Sequence, residues 1–423
     1  MSGLNLHDGT VVELFPLHIG DEGEEQSEVG RADTGIFIGL PAEGVALVRW
    51  LQEGVPLGEV KQRFARQYGQ APDLEDFVAG LAECGFVRAV DGQPLETGAP
   101  EGEVAATSAT SAPPAMTPAP RQQPQGWLLF ATLPQERVAW LLSKPMVVLY
   151  WTIWITLFVT LILRPDLIPS PRDIWVTPRV MVNSLLMILT SWTMGAVHET
   201  AHLLTVRARG CTGSLSISHR LTYVVAHVDM TGVRTLPRAQ RYAPYVAGMT
   251  WDAALWLACL GLRLAGVNWA PLGVVAFLCM VSLLFQCAFF MRTDLYYVFA
   301  NYFRLGNLME DTQRWLVNQA NRIIGRPEPH DLSAVPPREI KVIGKYAVFY
   351  VLGVAVVFGQ FIFLGLPVLY RFLVTAVSGL MAGPRAVAFW DGLIFFLLIG
   401  IKYGVLAVVT WRERRERRLQ AVA

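Results

Sequence analysis

Charge is what this chain has least of. Only 16% of its 423 residues are Asp, Glu, Lys or Arg, while 53% are hydrophobic and mean hydropathy is +0.39. A soluble protein carries nearer a quarter charged residues, so the bulk of the chain is not of that class. A net charge of +1 gives no electrostatic sign of a nucleic-acid partner, and none is expected. Cysteine is scarce as well. Cys84, Cys211, Cys259, Cys279 and Cys287 form no CxxC pair, which excludes a disulfide framework and a thiolate metal site. Residues 1–21 are mixed and polar, without the basic start and apolar run of a secretory signal, and no such signal is expected there. No internal repeat is visible.

What remains falls into three regions. Residues 1–92 read as a soluble α+β unit. Strand-like stretches at 10–16, 25–29 and 35–40 precede helical stretches at 42–53, 56–68 and 73–84, and a last short strand is expected at 86–90. That order fits a winged-helix-like domain. Residues 93–125 are rich in Pro, Ala, Ser and Thr and bury too little apolar surface to order themselves, so a disordered linker is expected. Residues 126–423 read as an α-helical polytopic membrane domain. About six apolar runs approach the roughly 20 residues that a bilayer core requires. They lie at 145–163, 180–206, 245–264, 270–291, 346–369 and 386–410, and residues 127–143 suit an interfacial segment.

Arginine clusters in alternate connections: Arg207, Arg209, Arg220, Arg234, Arg238 and Arg241; then Arg292, Arg304, Arg314, Arg322, Arg326 and Arg338; then Arg412, Arg414, Arg415, Arg417 and Arg418. By the positive-inside rule these segments face the cytoplasm. An even number of crossings then puts both termini and the soluble domain on the cytoplasmic side of a cell membrane.

The second run contains His198-Glu199-Thr200-Ala201-His202. Histidines four apart on a helix face the same way and can share one Zn2+, and the intervening glutamate can act as general base toward a water. Ionisable residues are costly in a spanning helix, which favours function over accident. Zinc needs a third protein ligand. Asp294, at the end of the fourth run, is the candidate: that run and the second both end at the cytoplasmic face, so the three side chains share one leaflet. Asp252 lies eight residues beyond Pro244, and His198 eight before Val206. Both are then roughly 12 Å deep. Asp252 is a candidate to orient a ligand histidine, or equally to satisfy other polar neighbours. Residues 214–229 alternate in polarity and read as a hairpin beside the site, whose edge can hold a substrate as an added strand. His219 and His227 within it are not assigned to the site.

These motifs carry two resemblances. His198-Glu199-x-x-His202, Ala247-Gly248 and Asp294 followed by Tyr296-Tyr297 resemble the site-2 protease group of intramembrane zinc metalloproteases, over most of residues 127–315. The branch of peptide zinc metalloproteases usually reads Asp-Gly-Tyr-Tyr, where this chain has Leu295 in place of the glycine. It also has Cys287-Ala288-Phe289-Phe290 where an Asn-Pro is usual. The resemblance implies zinc held by His198, His202 and Asp294, with Glu199 as general base. Val29-Gly30-Arg31-Ala32-Asp33-Thr34-Gly35 and Asp73-Leu74-Glu75-Asp76-Phe77, ending in Gly85-Phe86-Val87, resemble the PqqD-like domain that binds leader peptides of ribosomally made, modified peptides. That resemblance implies a peptide groove near residues 35–40 and 73–84.

The expected function is an intramembrane zinc endopeptidase acting on a peptide or membrane-protein substrate. Two alternatives stay open. One is a non-proteolytic export or immunity component of a modified-peptide pathway. The other is regulated intramembrane proteolysis of a signalling protein.

Overall fold

The computed structural model describes residues 6–20, 27–31, 36–95, 127–220, 223–304, 308–332, 335 and 337–420. The chain divides into two compact units. The first comprises Met1–Leu128, Cys211–Ser214 and Asp229–Arg241; the second comprises Leu129–Gly210, Leu215–Val228 and Tyr242–Ala423.

In the first unit, β1 (Val12–Leu14), β2 (His18–Ile19), β3 (Ser27–Arg31) and β4 (Ile36–Leu40) precede α1 (Ala42–Gln52), α2 (Leu57–Tyr68) and α3 (Leu74–Glu83). β5 (Val87–Val90) and β6 (Gln93–Pro94) close the domain. Two antiparallel sheets form, ordered β1-β5-β6 and β2-β3-β4. The helices begin where local chemistry starts them. Asp73, for example, accepts the backbone N–H of Asp76 at 3.1 Å at the head of α3. Val29, Val48, Leu51, Val60, Leu81 and Phe86 are sealed in one core. Burying side chains of this size contributes about 1.5–3 kcal/mol each.

The expected linker starts later than residue 93. Gln93 and Pro94 pair with Val90 and Ala89 across Asp91-Gly92, whose φ angles are 49° and 75°. Two positive φ angles make the tight hairpin turn that Asp-Gly favours, so the chain folds back before it leaves the domain. The rest of the linker, residues 96–125, lies outside the described residues, as do residues 32–35 of the PqqD-like motif.

In the second unit, α4 (Gln135–Val138) and α5 (Lys144–Leu163) lead to α6 (Val180–Ala208). α6 has no cap of its own. Instead Asp391 accepts the N–H groups of Val180 and Met181 at 2.6 and 3.2 Å. A two-stranded hairpin follows, β7 (Ser214–Arg220) and β8 (Tyr223–Asp229), then α7 (Arg238–Leu264) and α8 (Pro271–Phe285). The short α9 (Asp294–Phe303) and α10 (Leu308–Ile323) precede α11 (Pro337–Gln360), α12 (Leu366–Met381) and α13 (Val387–Gln420). Trp256, Leu260, Ala276, Phe277, Phe372 and Phe395 build the helical core.

Among the described residues, five stretches of helix are long and apolar enough to cross a membrane, where about six were expected. The difference is in the fourth run. Only Pro271–Phe285 of it is helical, 15 residues or about 22 Å against a hydrocarbon core of about 30 Å. The chain leaves the helix at Gln286 because the next residues turn back to deliver Asp294. The fifth run is longer than expected: helix continues over Glu339–Met381. Pro367 sits inside that stretch, and the wider turn at Phe361–Gly365 absorbs the ring that would otherwise break it. α5 buries only Leu157 and turns Trp151, Phe158 and Ile162 outward. Such a surface is compatible with a multi-pass membrane protein.

Candidate metal centre

α6 positions the two histidines. One turn apart on the same face, His198 Nε2 and His202 Nε2 lie 3.2 Å from each other. Asp294, the first residue of α9, brings its Oδ2 to 3.0 Å from His198 Nε2 and 3.2 Å from His202 Nε2. Gln286 holds it there twice: its Oε1 accepts the Asp294 N–H at 3.1 Å, and its side-chain amide donates to Asp294 Oδ2 at 3.2 Å. Arg292, two residues before Asp294, pairs with Glu310.

The outer nitrogens of both rings are also occupied. His202 Nδ1 donates to the backbone carbonyl of Pro244 at 2.8 Å. His198 Nδ1 is 2.9 Å from Asp252 Oδ2, which also accepts Ser282 Oγ–H at 2.8 Å. A carbonyl can only accept, and an ionised carboxylate likewise. Each ring thus carries a hydrogen on Nδ1 and turns Nε2 toward the centre, where the lone pair of a neutral imidazole would face a metal ion. Two imidazole nitrogens and a carboxylate oxygen so placed suit a cation between them. A tetrahedral ion with bonds of about 2.0–2.1 Å sets its ligand atoms about 3.3 Å apart, close to the spacing found here. His198, His202 and Asp294 can hold a metal ion.

α7 is shaped around this centre. Pro244, Gly248 and Asp252 recur every fourth residue and so share a face. The first supplies the carbonyl to His202 and the last the carboxylate to His198. Between them, a Cβ on Gly248 would lie 2.4 Å from His198 Nε2 and 2.5 Å from His202 Nε2. Only glycine leaves the mouth of the site open.

No protein-family model, no curated protein and no solved structure matches this chain. The site must therefore be read from its own geometry.

Glu199 follows His198 on α6, and its Oε2 accepts the backbone N–H of Val228 in β8 at 2.9 Å. The hairpin is thereby joined to the turn that bears both histidines. His227 lies beside Ser216 rather than among the metal-binding atoms, and the side chain of His219 lies outside the described residues. Of the residues singled out from sequence, His198, His202, Asp294 and Asp252 come together, and Glu199 sits in the same turn. Sequence reasoning did not find Gln286, Ser282, the Pro244 carbonyl or the Val228 N–H. The four-residue spacing of Pro244, Gly248 and Asp252 is a signal that could have pointed to this face.

Proposed function

We propose that this chain is a membrane-embedded, zinc-dependent endopeptidase of the site-2 protease type, whose PqqD-like N-terminal domain captures a peptide substrate. The observation that carries the reading is the meeting of His198 Nε2 and His202 Nε2 of α6, the helix that also bears Glu199, with Asp294 Oδ2 of α9, all within 3.2 Å of one another. Two neutral imidazoles and one carboxylate are a zinc-type donor set that leaves a fourth position free, whereas calcium and magnesium favour oxygen ligands alone. Zinc, when bound, supplies a Lewis acid that polarises the scissile carbonyl and makes water more acidic.

The chain's own residues do the rest. Glu199 takes the proton of the attacking water and returns it to the leaving amine. Asp252 and the Pro244 carbonyl keep both imidazoles aimed inward. The edge of the β7–β8 hairpin aligns the substrate backbone as an added strand. A leader peptide lies along β4 and α3 of the first unit. The tether, residues 96–125, raises the local concentration of the captured substrate at the site. The arginine-rich connections support a cell-membrane location with both termini cytoplasmic, α8 and its flanking turns making a sixth, shorter crossing.

The test uses purified full-length protein in detergent. Bound metal is quantified, and cleavage of a quenched fluorescent peptide library is followed before and after chelation. The expected result is one zinc per chain and cleavage that disappears with chelator and returns with zinc. Cleavage indifferent to chelation would remove the metallopeptidase reading.

A further inference from the structure

Arg241 is a buried cation on the first turn of α7, only 5% exposed. It donates to the carbonyls of Leu236 and Arg234, each at 2.7 Å, and to Glu28 Oε2 on β3 at 3.0 Å. Arg234 also approaches Glu28, at 3.5 Å, and lies over the Phe37 ring of β4 at 5.9 Å. One carboxylate of the N-terminal sheet thus holds two arginines of the segment Asp229–Arg241, and all belong to the same compact unit.

The two ends of that segment run straight into the candidate centre. Immediately before Asp229 stands Val228, whose N–H holds Glu199. Three residues after Arg241, on the same helix, stands Pro244, whose carbonyl fixes the tautomer of His202. Beyond it on the same face come Gly248 and Asp252. A shift of the segment would therefore move the support of the base and the support of a metal ligand together.

We propose that Glu28 is a positioning residue: by gripping Arg241 and Arg234 it fixes the segment whose ends orient Glu199 and His202. The proposal rests on the metallopeptidase reading for its catalytic meaning, though not for its test. It makes the N-terminal sheet more than a peptide-capture device. Glu28 lies one residue from Val29 on the strand that pairs with β4, so a peptide engaging this sheet acts on the same strand pair that holds the segment.

The experiment compares full-length wild type with Glu28→Gln and Arg241→Lys. Arg63→Gln, in the exposed Arg63–Glu53 and Arg63–Glu59 pairs of the same domain, is the control. Hydrogen exchange is read in metal-free protein on the peptide carrying Val228. Cobalt(II) affinity and absorption spectrum are read by titration. Both Glu28 and Arg241 variants are expected to exchange at least tenfold faster at Val228 and to bind cobalt about tenfold more weakly with an altered spectrum, while exchange in α1 and α2 stays as in wild type. The control is expected to change neither readout. Unchanged exchange at Val228 in both variants overturns the proposal. So does faster exchange with wild-type cobalt binding, because the segment would then move without carrying the ligands. Neither readout requires cleavage, so an inactive wild type would defeat the peptidase reading and leave this one standing or falling on its own.

Discussion

The backbone carbonyl of Pro244 accepts the Nδ1–H of His202 at 2.8 Å. That single bond decides which nitrogen of His202 faces the centre, because a carbonyl has no hydrogen to give. The same logic applies at His198, where Asp252 takes the place of the carbonyl. The metal-binding face of α6 is thus set from α7.

Glu199→Gln keeps the shape of the side chain and removes its basicity. Metal content should equal wild type, and cleavage should fall by about 10²–10⁴-fold, the range of a lost general base. Metal analysis alongside a peptide-cleavage assay checks both halves. A Gln variant that cleaves at the wild-type rate would take Glu199 out of the mechanism.

Asp294→Ala removes one of three ligands and should lose most of the bound metal. The comparison is zinc per chain after dialysis against a weak chelator. Equal zinc in variant and wild type would show that Asp294 is not a ligand.

Gly248→Ala places a methyl group 2.4–2.5 Å from both Nε2 atoms. Metal binding should fall to background. Alanine is the better helix former by about 1 kcal/mol, so helix stability cannot account for the loss. Circular dichroism should show helix content unchanged while metal content collapses; a variant that binds metal normally would contradict the geometry.

Asp252→Asn retains size and a hydrogen-bond acceptor but removes the charge behind His198. Zinc affinity should drop by about 10–100-fold, as for other outer carboxylates of metal-bound histidines. Asp252→Ala should cost more, since Ser282 Oγ then loses its partner too. Competition with a zinc-sensitive dye measures both, and equal affinities across the three proteins would reduce Asp252 to a packing role.

Much of the centre was legible beforehand because its chemistry is carried by side chains with distinctive spacing. His198 and His202 needed only the helical period to face one another. Asp294 needed a topology that ended two runs at one level. The small N-terminal elements were legible from alternation and caps, as at Asp73. The missed β6 had its own signal in Asp91-Gly92, overlooked because two residues make too short a strand to show a period. The fourth run misled for a different reason. Hydropathy averages over residues 270–291 and does not register that Gln286 ends the helix in order to grip Asp294.

By itself the sequence determined which atoms were available: two imidazoles one turn apart, a glutamate between them, two carboxylates in apolar surroundings, and enough hydrophobic length to cross a membrane several times. Spacing and composition are local properties, and they survive any folding of the rest. The tertiary structure alone decided what those atoms face. The Pro244 carbonyl, the Val228 N–H and the gap at Gly248 are backbone features that every chain possesses at nearly every position. They acquire a role only when residues 228–248 are brought against α6, which packing does and spacing cannot.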